Sequence, residues 1–144
     1  METKTKFWQD VRKDWQFYFD EGKSYLNTCK KLIVNPKSFD NEFIYNLAVL
    51  AGERLVLGML LSYDYIPSST SLSGMLQEGK EFYQLDEDIL EGARFLNKFQ
   101  TFCSLEVIPF TPPDQQELES IVKYIVLIAQ FSTNNLNKLV TAEE

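Results

Sequence analysis

The sequence predicts an all-α protein, an antiparallel up-down bundle of four long helices and one short one. Three observations carry that prediction. Apolar residues recur at steps of three, four or seven through most of the chain, the period of a one-sided helix. The stretch from Glu42 to Tyr65 is apolar all round a helical wheel, with Ile44, Leu47, Val49, Leu50, Leu55, Val56, Leu57, Met59, Leu60 and Leu61 pointing every way. Such a helix is either a membrane span or the buried centre of a bundle. The 6 Gly and 5 Pro are few and fall mostly between the periodic segments.

Asn46, Glu53 and Arg54 interrupt the central stretch. A span needs about 18 residues nearly free of charge, so the expectation is a buried central helix and no membrane partner. At 144 residues the chain forms one domain, long enough to bury roughly two-thirds of its unfolded surface. The hydrophobic share of 44% and aromatic share of 14% supply a core without a disulfide or metal staple.

The first helix runs from about Lys4 to Val34, its stripe being Phe7, Val11, Trp15, Tyr18, Tyr25, Cys29 and Leu32. Gly22 sits within that stripe, where it lets a neighbouring helix close in at a cost of about 1 kcal/mol against Ala. Trp8, Phe17 and Phe19 lie off the stripe, as a wider buried face or a subunit contact. Asn35-Pro36 ends the helix, because Pro disfavours helical geometry in the residue before it. Ser38 or Asp40 caps the central helix, which runs to about Tyr65. Along it Ala48, Ala51, Gly58 and Ser62 form a small-residue stripe that predicts a tight crossing with a helix of this chain or of a twin.

Ile66 to Ser71 reads as a polar loop, and Ser71 caps a brief helix over Leu72–Lys80. Asp86-Glu87-Asp88 places acids at the start of the next helix, where its dipole favours them; Ile89, Leu90, Ala93, Leu96 and Phe99 are its apolar face, to about Phe102. Ser104 to Thr111 lacks a helical period and reads as an extended loop. Thr111-Pro112-Pro113-Asp114 then starts the last helix, with Thr as cap and Pro at the first position. Leu118, Ile121, Val122, Ile125, Ile128, Ala129 and Leu136 mark its buried side. Residues 141–144 read as a frayed tail.

Composition removes several function classes. The formal charge of −7, from 21 acidic against 14 basic residues, argues against a nucleic-acid surface, since that affinity comes from clustered Lys and Arg. Lys30, Lys31 and Lys37 cluster near one turn, in keeping with cations at a helix C-terminus. There is no His, which removes His-based acid–base catalysis, Ser–His and Cys–His nucleophiles and histidine metal ligation. Cys29 and Cys103 are far apart and in no ligand spacing; Cys29 reads as a small buried hydrophobe. Asp86, Glu87, Asp88 and Glu91 lack the glycine turn of a calcium loop. AGERL and SGML lack the glycine spacing of a phosphate loop. No cofactor, metal or catalytic residue is therefore expected. METKTKFWQD lacks the apolar stretch of a signal peptide, so a cytoplasmic location is expected.

The order of these parts resembles a HEPN domain, a helical bundle of many small prokaryotic proteins. Ala51-Gly52-Glu53-Arg54-Leu55 through Leu60-Leu61 is similar to the family's central helix, and Tyr65-Ile66-Pro67 to the loop after it. Thr70-Ser71-Leu72-Ser73-Gly74-Met75-Leu76 is similar to the short helix, Ala93-Arg94-Phe95-Leu96-Asn97-Lys98-Phe99 to the fourth and Leu118–Phe131 to the closing one. The resemblance covers about residues 39–134 and rests mostly on hydrophobic spacing. Active members pair an Arg with a His across four to six intervening residues. Here Arg12, Arg54 and Arg94 are answered by Phe17 to Phe19, Met59 to Leu61, and Phe99 to Thr101. The resemblance thus implies a HEPN-like interaction module without the catalytic pair, a homodimer, with a nucleotidyltransferase or another neighbouring-gene product as partner.

Glu53, Arg54 and Arg94 are the candidate anchors for a ligand or partner. Glu53 and Arg54 lie in the most apolar stretch, where a lone charge is costly and where Arg54 offers a fork for carboxylate or phosphate. Their other reading is a wet edge of the central helix, paired with charges on its neighbours. Two other functions stay open: a ribonuclease of atypical site, built from Arg94 with Gln100 or Tyr124, and a nucleotide or small-ligand receptor using the cleft beside the central helix. The N-terminal aromatics are flanked by Asp10, Asp14, Asp20 and Glu21, which favours core or dimer contact over base stacking.

Overall fold

A computed structural model describes residues 2–34, 41–99 and 112–142, with side chains given from Asp14 to Val140 within those ranges. The elements are α1 (Glu2–Val34), α2 (Asn41–Leu61), α3 (Leu72–Glu78), α4 (Glu87–Asn97), α5 (Gln115–Asn134) and α6 (Lys138–Ala142). All described elements are helical, as the periodicity requires. The expectations for Asn35-Pro36, the Ser38 or Asp40 cap, Gln100, Cys103 and the 104–111 loop lie outside the described residues.

Buried pairings set the directions of the long helices. Cys29 Sγ lies 3.9 Å from Ile44 O, whereas Gly22 meets Ala51 and Leu55, and Gly58 meets Trp15 and Phe19. Numbers rise along α1 as they fall along α2, so the two are antiparallel. Tyr124 bonds Ile89 O and Lys98 pairs with Glu117, which sets α4 antiparallel to α5. Asn41 bonds Pro113 O and Gly52 meets Ile125, which runs α5 parallel to α2. Joined to α2 by Tyr45 on Leu96 O, α4 is thus antiparallel to both. The result is up-down-up-down, with α3 as the short element.

α2 is the hub, packed against α1, α3 and α5. Tyr45, Leu55, Val56, Met59 and Leu60 are among its fully buried side chains. By length and composition it alone among the described residues could cross a membrane, and 67% of its apolar window is buried inside the bundle. The small-residue stripe meets a helix of the same chain. A Cβ on Gly58 would lie 2.8 Å from Trp15 O, and one on Gly22 would lie 2.9 Å from Leu55 N. Glycine at both positions lets the α1 and α2 backbones approach closely.

The stripe of α1 differs from the expected one. Trp15, Phe19, Gly22, Leu26 and Cys29 are buried, while Tyr18 and Tyr25 are half-buried and Phe17 is exposed. Steps of four and three from Trp15 pass through Phe19 and Leu26, so Phe19 belongs to the core. The expected stripe holds at Trp15, Gly22 and Cys29 and runs along the half-buried border at Tyr18, Tyr25 and Leu32.

Helix ends shift for identifiable reasons. α2 stops at Leu61, not Tyr65, because Asp64 takes a left-handed φ of 62°. Tyr65 N then bonds Leu60 O at 3.1 Å and Asp64 N bonds Leu61 O at 2.9 Å, the pair of bonds that satisfies the last carbonyls in a Schellman motif. Ser71 caps α3 as expected, accepting from Gly74 N at 3.1 Å. α5 is capped by Asp114 instead of Thr111. Asp114 Oδ1 accepts from Glu117 N at 2.8 Å, and Glu117 Oε1 accepts from Asp114 N at 3.0 Å, a reciprocal capping box. The expected tail begins inside α6, a sixth helix that the preceding Asn137 holds to the end of α2: Asn137 N donates to Ser62 Oγ at 3.1 Å and Asn137 Nδ2 to Ser62 O at 3.0 Å.

Candidate functional site

A half-buried side of α2 carries Glu53 and Arg54, and the chain after α2 folds back across it. Between them lies a cleft of about 330 Å³, with Leu50, Glu53, Arg54 and Leu57 on the helix wall and Ile66, Pro67, Ser69 and Thr70 on the loop wall. Met75 of α3 closes one side. A shallower groove of about 200 Å³ continues past Leu57 and Ile66 to Leu61, Tyr18 and Asp14.

The loop wall is fixed by one carboxylate. Glu78 Oε1 accepts from Tyr65 Oη at 2.8 Å, Ser68 N at 2.9 Å and Ser68 Oγ at 3.1 Å, and Oε2 accepts from Ser69 N at 2.8 Å. Those donors favour the charged form, the two backbone N–H groups most, and hold the Glu78 carboxyl down at about 2. The last turn of α3 thereby fixes the position of Ser69 and its neighbour Thr70.

On the helix wall the two charges behave differently. Arg54 Nε lies 3.0 Å from Glu21 Oε1 of α1, and its guanidinium carbon sits 5.4 Å from the centre of the Tyr18 ring. The Nε–H does not point along the line to that oxygen, so the pair is coulombic more than a hydrogen bond. Glu53 is half-buried and forms no hydrogen bond or ion pair among the described residues. Burial raises its carboxyl above the ordinary range, against the neighbouring Arg54 charge that lowers it.

The expected anchors are therefore brought together only in part. Glu53 and Arg54 share the cleft. Arg94 does not: it is exposed on α4, with Nη1 3.7 Å from Glu87 Oε1. Asp86, Glu87, Asp88 and Glu91 are all exposed, and among the described residues no cluster of potential ligands is placed to hold a metal. Tyr124 Oη is committed to Ile89 O at 2.6 Å, and burial pushes its pKa up. Glu78, Ser69 and Thr70 are site residues that periodicity passes over; the one available signal was the Ser68–Ser71 polar run ending in a helix cap.

No family model and no curated protein matches the sequence. The fold does match a solved structure, that of a HEPN domain protein from Thermotoga maritima. Its TM-score is 0.64 at 17% identity, over 82% of this chain and 95% of that one. The fold is HEPN-like. In this HEPN-like bundle, residues at the interval where a histidine would answer each arginine include Phe19, Met59, Leu60, Leu61 and Phe99, and all five are buried core.

Proposed function

We propose that this HEPN-like bundle is a non-catalytic interaction module that acts as a homodimer and engages a protein partner, with a nucleotidyltransferase as the leading class. The observation that carries the reading is the absence of any His from the chain; at the intervals where the family's catalytic partner of Arg would lie, Phe19, Met59, Leu60, Leu61 and Phe99 are buried in the core. A purified sample tested for RNA cleavage, beside Arg94→Ala and Arg54→Ala, is expected to show no arginine-dependent hydrolysis; cleavage abolished by either substitution would overturn the reading.

Support for self-association comes from apolar surface beside the shallow groove. Phe17 is 62% exposed and Ile66 48% exposed, and Tyr18 and Leu61 lie in the groove. Exposed large apolar groups grouped in this way mark contact surfaces. Phe17→Asp is expected to leave the fold intact and convert a dimer to a monomer in light scattering at tens of micromolar. A wild-type monomer at that concentration would count against the dimer.

A further inference from the structure

We propose that the cleft between α2 and the 66–70 loop binds a small molecule bearing a primary ammonium group on an apolar body. Two charged side chains line the cleft, and only one of them is already matched. Arg54 faces Glu21 at 3.0 Å and the Tyr18 ring. Glu53 has neither a hydrogen bond nor an ion pair among the described residues, so Glu21, Arg54 and Glu53 together leave one negative charge, in a half-buried setting. A half-buried carboxylate whose charged neighbour Arg54 is already held by Glu21 remains short of a hydrogen-bond donor, and a charge-assisted hydrogen bond from an ammonium supplies one.

The other walls select among cations and against other ligands. Leu50, Leu57, Ile66 and Met75 supply hydrocarbon, which a bare ion cannot use. A calcium ion takes about six to eight oxygens, far more than one carboxylate and the Ser69 and Thr70 hydroxyls offer. An anion would meet one arginine between two carboxylates, Glu21 and Glu53. A neutral apolar ligand would bury Glu53 more deeply with no compensation. The volume of about 330 Å³ sits at the small end of ligand pockets, fitting a ring or short branched chain with one amine. Glu78 holds the loop wall in place before any ligand arrives, which lowers the ordering cost of binding.

The test uses methyl-resolved NMR titration of the full chain with cyclohexylmethylamine, cyclohexanecarboxylate and cyclohexylmethanol at pH 7. The amine is expected to give saturable shifts at Met75, Leu50 and Leu57 with Kd of about 1 mM, and Glu53→Gln to weaken it at least about tenfold. Binding of the acid or the alcohol as tightly as the amine would overturn the proposal, as would an amine affinity unchanged in Glu53→Gln. So would the lack of any saturable amine shift. The three probes on the unaltered chain decide the charge preference without the variant.

Discussion

Gly58 shows how one atom fixes a helix crossing. In an exposed helix, replacing Gly by Ala gains about 1 kcal/mol. Here the added methyl would lie 2.8 Å from Trp15 O and 2.9 Å from Phe19 N, backbone atoms that move only if α1 and α2 part. Gly58→Ala is expected to lose about 1–3 kcal/mol in urea unfolding, the cost of overpacking; a stabilised variant would mean that α1 does not lie against Gly58. This residue was legible beforehand, because small side chains at helical spacing announce a close crossing. Glu78 was not, since nothing in a periodic pattern says that a carboxylate at a helix end turns back to bind the loop before it. Glu78→Gln is expected to speed amide hydrogen exchange at Ser68 and Ser69. The pH dependence follows from a folded pKa of about 2 against 4.5: a lowered carboxyl stabilises fully above pH 4.5 and loses that contribution as pH falls towards 2. Wild type and Glu78→Gln should therefore converge in stability under acid, and a gap that persists at pH 2 would contradict the clamp.

At the scale of elements, helix existence and type followed from spacing, whereas ends followed from local chemistry that spacing does not encode. The final helix was placed by its Leu118–Ile128 stripe, yet its cap is Asp114, because Asp114 and Glu117 satisfy each other's backbone donors. The end of α2 depends on Asp64 adopting a left-handed turn, a conformation that costs most residues about 1–2 kcal/mol. A β-branched side chain suits that turn worst, so Asp64→Val is expected to destabilise by about that amount in thermal unfolding. The α6 latch was invisible to periodicity because it is made by amide and hydroxyl groups. Asn137 ties the end of α2 to the start of α6 and also accepts from Leu139 N at 3.1 Å. Asn137→Ala would strip a donor from the buried Ser62 and is expected to cost about 1–3 kcal/mol. No measurable loss would show that α6 is not fastened to the bundle.

At the scale of the whole molecule, phenols tie α4 into the bundle. Tyr45 of α2 and Tyr124 of α5 donate to the Leu96 and Ile89 carbonyls of α4 at 2.8 and 2.6 Å, and Tyr83, in the turn after α3, donates back to Leu76 O at 2.7 Å. The charged contacts of α4 are exposed and long, at 3.7 and 3.8 Å, and such pairs contribute little. Each phenol must stay protonated to donate, so the bundle as a unit is sensitive to alkali. Burial, with a smaller push from the Glu53 charge, raises Tyr45 from 10.0 to about 12, and burial raises Cys29 from 9.0 to about 11. For acids whose folded pKa is raised, the stabilising contribution is complete below the unfolded value and is lost as pH climbs through the folded one. Stability is therefore expected to fall between about pH 10 and pH 12, with tyrosinate absorbance and helical circular dichroism changing together. Tyr45→Phe separates this effect from general charge repulsion. It leaves Leu96 O without its donor and should be about 1 kcal/mol less stable at pH 7, yet its stability should decline less steeply above pH 10. An alkaline slope identical to wild type would show that the Tyr45 phenol does not couple the helices.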